Sequence, residues 1–349
     1  MERKSDTPAS KRTPVRLVYD LPEFVNWESD WLHYLLRDFD VQPILDPDHC
    51  FVDENVILAS SSSDTGRAKL LRQHLQAFQR RRLKVGLFHL SDEFDVTPVD
   101  IYSDADFVFR NYYRREALRS PHCRYFGIGY KSGFAQSVVH KPISQRRYTW
   151  FFAGQPKSSR AAMLDQANTI PGGRFHLTTK WSDPAGLDTT QYAALLSDTV
   201  FALCPRGNRS ADCFRLYEAL EAGAIPIVED RSATGSVLQI LRPGGLKLIP
   251  ELHPRDRLLS LKTHGLGSYW TAAYGTDFPC PRLNYWQDLG ALIRSIDPEK
   301  TSLRIREWWQ DYKSGLIQVV SRTVKQTFFP TEGAHQVNQE PYLARRVAS

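Results

Sequence analysis

The stretch CPRGNRSADCFRLYEALEAG, Cys204 to Gly223, joins an apolar strand end, a basic loop and a short helix. The preceding apolar run, VFALCP, predicts a β-strand that ends at its proline. Leu216 and Leu220 repeat at helical spacing, Gly223 is placed to end the helix, and Asp212 is placed to cap its start. The loop should therefore lie at the carboxyl edge of a parallel sheet, where open α/β sheets bind ligands and a helix N-terminus favours phosphate.

This loop and the first turn of the helix are basic. Arg206 and Arg209 lie in the loop, and Arg215 lies in the first helical turn with Glu218 on the same face. Guanidinium groups match phosphate oxygens in a bidentate fork, and a carboxylate can accept two hydroxyls of a ribose. The set can hold a nucleoside diphosphate; the alternative is an Arg215–Glu218 surface pair beside two solvated arginines.

Outward from this stretch, apolar β-rich runs alternate with helical patterns. The predicted strands are VRLVYD, NVILAS, KVGLFHL, ADFVFRNY, TWFFAG, RFHLTT, VFALCP, AIPIVED and LKLIP, and the predicted helices between them include WESDWLHYLLRDF, SSRAAMLDQANTI, TTQYAALLSD and SVLQILR. Strands that are apolar throughout and separated by helices indicate parallel sheets covered on both faces. The sequence thus predicts an α/β protein.

The length of 349 residues favours two domains over one, at about 100–200 residues per domain. The polar, proline-containing stretch HKPISQRRY, His140–Tyr148, is the predicted interdomain linker. The expected order is a disordered tail (1–14), a Rossmann-like domain (15–140), a second Rossmann-like domain (141–300), helices packing across both domains (301–330) and a tail (331–349).

Composition limits the class of protein. With 42% hydrophobic and 12% aromatic residues the chain should fold. No apolar run approaches the roughly 18 residues that span a bilayer, and the N-terminus has no apolar signal-peptide region. We therefore expect a cytoplasmic protein, with a trimmed Golgi-lumenal domain as the alternative. Five cysteines without CxxC spacing argue against a disulfide scaffold or a zinc ribbon.

The net charge of +6 is concentrated in the N-terminal tail and in Arg67–Lys84, which has basic residues and no acidic one. Leu71, Leu75 and Phe78 repeat there at helical spacing, so the segment predicts an amphipathic helix with a basic outer face. Such a face can bind nucleic acid or an anionic membrane; a solvated helix surface is the alternative, and no nucleic-acid partner is expected.

Three motifs in order resemble the exostosin-like glycosyltransferases of the GT47 type. They are VYDLP (Val18–Pro22), FFAGQPKSSR (Phe151–Arg160) and the opening stretch continued into AIPIVED. The resemblance covers about residues 15–330. It implies a GT-B fold, in which two Rossmann-like domains face each other across a cleft. The nucleotide sugar would be held mainly by the second domain and the acceptor approached from the first.

The resemblance also implies roles for single residues in binding the donor. Arg215 and Arg206 would contact the diphosphate, Glu218 the ribose, and Arg160 a further phosphate oxygen. Gly154 would allow close approach of the backbone. The other residues expected to bind the donor belong to the same loop and are Gly207, Asn208, Arg209 and Ser210; Asn208 and Arg209 have no fixed counterpart in the family pattern.

No metal and no cofactor are expected. Metal-dependent transferases of the other major fold bind the metal through Asp-x-Asp, and the matches here are DFD (Asp38–Asp40), DPD (Asp46–Asp48) and DAD (Asp104–Asp106). All three lie in the first half, far along the chain from the arginine loop, and are interpreted as turns and caps. Cationic side chains and the helix terminus should neutralise the diphosphate instead.

The catalytic base should come from the first domain. GLFHLSDEF ends a predicted strand with His89, Asp92 and Glu93 at its carboxyl edge, and these are the candidate catalytic residues. Alternatively, Ser91 or Asp92 caps a turn and His89 is a packing residue. The candidate acceptor-binding residues follow other predicted strands and are Asp20, Arg110, Tyr130 and Lys131; Asp20 is also a lesser candidate for the base.

The predicted function is that of an inverting, metal-independent glycosyltransferase that transfers a sugar from a UDP-sugar to a glycan or another hydroxyl acceptor. The family resemblance favours xylosyl or glucuronosyl transfer. The alternatives are a GT-B transferase that uses a GDP-sugar, and a non-catalytic module that binds nucleotide or nucleic acid.

Overall fold

The computed structural model describes residues 12–21, 23, 25–45, 54–61, 64–157, 159–180, 183–230 and 267–330. Several predictions fall outside these ranges: the helix SVLQILR, the strand LKLIP, the DPD motif, Pro22 of VYDLP, most of the N-terminal tail and the tail 331–349.

The first sheet has the strand order β2-β1-β3-β4-β5-β6, and every pairing is parallel. Its strands are β1 (Thr13–Tyr19), β2 (Phe39–Ile44), β3 (Val56–Ser61), β4 (Val85–Leu90), β5 (Phe107–Arg110) and β6 (Cys123–Tyr125). Helix α1 (Val25–Leu35) packs on one face and α2 (Thr65–Arg80) on the other. Since both faces are covered, β3 and β4 are buried along their whole length.

The start and the buried face of helix α2 follow from its sequence. The carboxylate of Asp64 accepts a hydrogen bond from the backbone N–H of Arg67 and caps the helix N-terminus. Leu71, Leu75 and Phe78 are buried against the first sheet, as their spacing predicts, while Lys69 is exposed. The amphipathic helix predicted over this basic segment is confirmed.

The second sheet has the order β11-β10-β9-β7-β8 and is likewise parallel. Its strands are β7 (Tyr148–Gly154), β8 (Arg174–Leu177), β9 (Thr199–Cys204), β10 (Ile225–Glu229) and β11 (Arg282–Leu283). The helices among them are α3 (Ser159–Ala167), α4 (Thr189–Ser197), α5 (Phe214–Glu221) and α6 (Tyr269–Tyr274). The predicted linker lies between the two sheets and contains a single 3₁₀ turn, Ile143–Gln145.

The topology of the second sheet selects where a ligand can bind. Strand β7 pairs with β8 on one side and with β9 on the other, so the connections leave β7 and β9 in opposite directions. The crevice at such a switch point, beyond the carboxyl ends of the strands, is the usual ligand site of open α/β sheets. Gly154 ends β7 and Cys204 ends β9, which places the opening stretch of sequence at this crevice.

The chain ends with α7 (Leu289–Ser295) and the 31-residue helix α8 (Pro298–Phe328). Helix α8 starts with proline at its first position, after Asp297 accepts a hydrogen bond from the backbone N–H of Lys300. It packs against α1 of the first domain and α5 of the second. One hydrophobic cluster accordingly runs from the first sheet through α8 to the second sheet.

Two parallel sheets, each with helices, therefore face a shared cleft, and the predicted α/β fold of the GT-B type is confirmed. Among the described helices, none combines the length and apolar character needed to cross a membrane.

Candidate functional site

A cavity of about 510 Å³ lies between the two domains at the switch point of the second sheet. The first domain contributes Trp27, Glu28, Ser91, Glu93, Tyr112 and Lys131, among others. The second domain contributes residues that follow β7 and β9, including Gly154, Lys157, Arg160, Asn208, Asp212, Arg215 and Glu218. Its size is in the range of small-molecule sites, about 300–1,000 Å³.

Arg215 and Gly154 form the floor of the cavity together. The Arg215 Nε donates a hydrogen bond of 2.8 Å to the carbonyl of Ala153, and its guanidinium lies 5.4 Å from the ring centroid of Phe152. Gly154 has φ of +141°, and a Cβ there would lie 2.3 Å from an Arg215 Nη. The glycine is required because the guanidinium fills the space of a side chain.

Arg160 brings a second guanidinium to the same cavity. It is only 6% exposed and donates to the backbone carbonyls of Gln155 and Arg206, at 3.3 and 2.9 Å. Burial and the neighbouring charge of Arg215 lower the pKa of Arg160 to about 10. Within the described part of the chain, neither guanidinium lies within 4 Å of a carboxylate. The charge of Arg215 therefore acts on Arg160 more strongly than any nearby carboxylate does.

Glu218 lines the cavity one turn beyond Arg215 and is buried. Burial raises its pKa to about 7, against the opposing effects of Arg215, the backbone N–H of Lys131 and the hydroxyl of Tyr192. The predicted proximity to Arg215 is present. The carboxylate is also held by a backbone group from the first domain, which the sequence did not indicate.

The arginine loop is held by a carboxylate from the opposite domain. Glu93 accepts hydrogen bonds from the backbone N–H groups of Arg209 and Ser210, at 2.7 and 3.1 Å, and from Asn208 Nδ2 at 3.2 Å. A Cβ at Gly207 would lie 2.7 Å from the same carboxylate. Glu93 lines the cavity as predicted, but its oxygens are engaged in fixing the loop.

Two of the predicted phosphate ligands point elsewhere. The guanidinium of Arg206 turns back and donates to the carbonyl of Arg209 at 2.7 Å. The guanidinium of Arg209 is exposed and lies 5.2 Å from the ring centroid of Phe94. Neither residue lines the cavity, since each makes its contacts within the loop or with the neighbouring ring. Asn208 does line it and accepts from Lys157 Nζ at 2.7 Å.

The predicted cap at Asp212 is wrong. The N-cap of α5 is Cys213, whose side chain makes no capping hydrogen bond. Asp212 is fully buried, and its Oδ2 accepts hydrogen bonds from the hydroxyls of Tyr125, Tyr217 and Tyr269, at 2.6, 2.8 and 3.4 Å. Burial raises its pKa to about 6. This carboxylate joins the two domains, because Tyr125 ends β6 of the first sheet.

Two of the three predicted base candidates lie in the interior instead of the cleft. Asp92 accepts from the guanidinium of Arg110 at 2.7 Å, and both side chains are about 1% exposed or less. His89 is fully buried, with Nδ1 2.8 Å from the hydroxyl of Tyr102 and 3.1 Å from Arg110. Burial and Arg110 lower the pKa of His89 well below its ordinary value. These groups satisfy one another, so Arg110 is not placed to bind an acceptor either.

Of the remaining predicted acceptor residues, Asp20 and Tyr130 are buried away from the cavity, and Lys131 lines it. Asp20 is buried at the carboxyl end of β1, where it accepts a hydrogen bond from the hydroxyl of Ser60, and burial raises its pKa to about 6. Tyr130 is 3% exposed and packs edge-on against Trp31 at 5.3 Å. Neither lines the cavity. Lys131 does, and its Nζ lies 4.8 Å from the ring centroid of Trp27.

Several residues of the cavity had no place in the sequence prediction. Glu28 does have a sequence signal, because it shares one helical face with Trp31, Leu32 and Leu35, which are fully buried. Tyr112 has no such signal, because it lines the cavity through a backbone φ of 57°, two residues after the end of β5. Non-glycine residues in this conformation store strain and concentrate at functional sites.

The aspartates of the described Asp-x-Asp motifs lie away from the cavity. In DAD, Asp106 accepts a hydrogen bond from the backbone N–H of Val85 at 2.8 Å and Asp104 one from Gln76 at 3.5 Å. Over the residues that the structure describes, no three His, Cys, Asp or Glu side chains cluster as metal ligands would.

Two parallel α/β domains that face each other across a cleft are the features that define the GT-B class of proteins. Residues 72–232 match the model of the exostosin GT47 domain, and the resemblance seen in the sequence is confirmed. A stretch of 185 residues is 26% identical to ribitol-5-phosphate xylosyltransferase 1 of Danio rerio, covering 51% of this chain. It spans 37% of that relative's length.

Solved glycosyltransferase structures also align with the chain. An α1,3-fucosyltransferase aligns with a TM-score of 0.39 and 13% identity, over 84% of this chain and 92% of the other. An α-glucosyltransferase bound to UDP and DNA aligns with a TM-score of 0.43 and 11% identity, over 90% and 95%. HepE of Anabaena, bound to UDP-glucose, aligns with a TM-score of 0.42 and 8% identity, over 89% and 99%.

Proposed function

We propose that the chain transfers a sugar from a nucleoside diphosphate sugar, most suitably a UDP-sugar, to a hydroxyl acceptor. The observation that supports this most is the pair of guanidiniums in the cleft, Arg160 and Arg215, without a carboxylate partner in the described residues. A buried cation without a partner is costly, and a diphosphate supplies two adjacent negative charges. The N-terminus of α5 lies at the same place and adds its positive end.

The remaining contacts of the donor follow from this placement. With the diphosphate at Arg160 and Arg215, Glu218 is one helical turn away and can accept the ribose hydroxyls. The curated relative is named a xylosyltransferase, so UDP-xylose is the first donor to test and a ribitol 5-phosphate acceptor the first acceptor. UDP-glucuronic acid and a GDP-sugar test the alternatives.

We further propose that the reaction inverts the anomeric configuration and needs no metal. The departing diphosphate becomes more negative as its bond to the sugar breaks, and two guanidiniums with a helix N-terminus can stabilise that charge. Turnover should therefore persist in excess EDTA, and the first product of an α-linked donor should be the β-anomer by proton NMR.

The test is calorimetric titration of the wild-type chain and the variant Arg215→Ala with UDP and the sugar donors. The variant should bind UDP at least tenfold more weakly, since a charge-assisted bidentate contact is lost, worth about 1.5–3 kcal/mol. Arg174→Ala is the matched control, because Arg174 begins β8 at the opposite edge of the sheet and is exposed. Equal affinity of Arg215→Ala and wild type for UDP would overturn the proposal.

A further inference from the structure

We propose that Glu28 is the catalytic base of this transferase, an inference that rests on the proposed function. Glu28 lies in the first turn of α1, in the domain that faces the arginine loop, and it lines the same cavity. It is 2% exposed, and its Oε2 has no hydrogen-bond partner among the described residues. A buried carboxylate oxygen without a donor is costly unless a ligand supplies the proton.

Contacts across the cleft place Glu28 opposite the donor site. Its neighbour in the chain, Trp27, packs against Phe214 with ring centroids 6.3 Å apart. Phe214 begins α5, and the next residue is Arg215, which is proposed to bind the diphosphate. Glu28 and Arg215 therefore each follow, in the chain, one of two aromatic residues that pack together across the cleft.

The other carboxylates of the cavity are less suited to this role. Glu93 accepts two backbone N–H bonds and an amide N–H from the arginine loop. Asp212 also has one oxygen, Oδ1, without a partner among the described residues, but its Oδ2 accepts three tyrosine hydroxyls, and Glu218 lies on the donor side beside Arg215. For Oε2 of Glu28, no hydrogen bond within the described residues competes with an acceptor hydroxyl.

The proposed step balances as follows. The acceptor hydroxyl gives its proton to Oε2 of Glu28 while its oxygen forms the bond to the anomeric carbon. The bond between that carbon and the diphosphate oxygen breaks, and its electron pair leaves with the diphosphate, facing Arg160 and Arg215. The products are the glycoside and the nucleoside diphosphate, and Glu28 then releases the proton to solvent.

The surroundings of Glu28 also suit a base that works near neutral pH. Burial raises its pKa to about 8. The ionisable groups near it are Tyr19 at the end of β1, Asp30 on the same helix, Tyr112 after β5 and Lys131, which lines the cavity. Burial raises the pKa of both tyrosines, so they stay neutral.

The experiment measures UDP release from the UDP-sugar that wild type turns over fastest, with water as acceptor, between pH 5 and 9. In Glu28→Gln, kcat should fall about 10²–10⁴-fold, the usual contribution of a general base, while the affinity for UDP stays within threefold. The rise of the wild-type rate with pH should be absent in Glu28→Gln and partly restored in Glu28→Asp. Asp30→Asn, on the same helix and outside the cavity, is the matched control.

The outcomes separate this proposal from the proposed function. If wild type releases UDP and Glu28→Gln does so within threefold, or if Asp212→Asn alone removes the pH dependence, Glu28 is not the base and the transferase assignment stands. If Glu28→Gln also loses UDP binding, its role is structural. If wild type binds no UDP and turns over no UDP-sugar, the proposed function fails and the base assignment with it.

Discussion

Gly154 is the residue on which the geometry of the donor site most directly depends. Its φ of +141° is unfavourable for any side chain, and the space of a Cβ is already occupied by the guanidinium of Arg215 at 2.3 Å. The motif FFAGQPKSSR therefore needs a glycine at this position, because the guanidinium of Arg215, sixty-one positions later in the chain, occupies the space of a side chain.

We predict that Gly154→Ala weakens UDP binding at least tenfold, because the methyl group displaces Arg215 from the cavity floor. Calorimetric titration measures the affinity, and thermal unfolding reports the accompanying loss of stability. Gly133→Ala is the matched control: Gly133 also has positive φ, +83°, but its Cβ would meet only Thr189 at 3.8 Å. If both variants bind UDP equally well, the contact with Arg215 is not what the glycine protects.

Glu28 should leave a signature in the pH dependence of stability as well as in the rate. Its pKa of about 8 in the folded chain exceeds the ordinary value of 4.5, so the folded state keeps a proton that the unfolded state has released. The free energy of unfolding should therefore fall as the pH rises from about 5 to about 8, by up to roughly 4 kcal/mol.

The variant Glu28→Gln should lack this part of the pH dependence, since glutamine does not titrate. Urea unfolding of both proteins at pH 5 and pH 8 gives the difference, in which the contributions of other buried carboxylates such as Asp212 and Glu218 cancel. Equal slopes in the two proteins would show that Glu28 is ionised in the folded state with an ordinary pKa.

At the scale of elements, the loop between β9 and α5 is shaped by the opposite domain. The carboxylate of Glu93 replaces a local cap by accepting the N–H groups of Arg209 and Ser210. This fixes the entry to α5, and hence the position of Arg215, through a contact between residues more than a hundred positions apart.

We predict that Glu93→Ala lowers UDP affinity about tenfold and speeds amide exchange at Arg209 and Ser210, because charge-assisted hydrogen bonds worth about 1.5–3 kcal/mol are lost. Glu93→Gln, which keeps an acceptor oxygen, should lose less. The matched control is Glu116→Ala, a carboxylate of the same domain that is half exposed and pairs with Arg114. Unchanged exchange in Glu93→Ala would show that the loop holds its shape alone.

The elements also show what the sequence could predict. Strands such as KVGLFHL were located correctly because both faces are buried and the apolar run is continuous. Strand β2 was missed because it contains Pro43, lies at the sheet edge and is largely exposed. His89, Asp92 and Glu93 are close in sequence, yet the first two meet Arg110 in the interior and the third reaches the cleft. What distinguishes these three residues is the partner that each contacts in the folded structure, and the sequence alone does not indicate that partner.

For the whole molecule, the alternation of strands and helices in the sequence is sufficient to predict the two-sheet architecture. It does not indicate how the two domains are coupled. That coupling depends on aromatic contacts between distant segments. Trp309 of α8 stacks on Trp31 of the first domain, with ring centroids 5.8 Å apart, and contacts Tyr217 of the second at 5.9 Å. Its Nε1 donates to Glu221 at 2.8 Å.

We predict that Trp309→Ala destabilises the protein by about 3–5 kcal/mol, as expected for removal of a fully buried large side chain, and separates the unfolding of the two domains. Calorimetry should then resolve two transitions in place of one, because the shared core no longer makes them cooperative. Saturating UDP should raise only the transition temperature of the second domain, since ligand binding stabilises the unit that binds it.

The matched control is Leu303→Ala, at an exposed position on the same helix. Its free energy of unfolding should stay within about 0.5 kcal/mol of that of wild type. A single transition in Trp309→Ala, shifted as a whole by UDP, would mean that contacts other than this tryptophan join the domains.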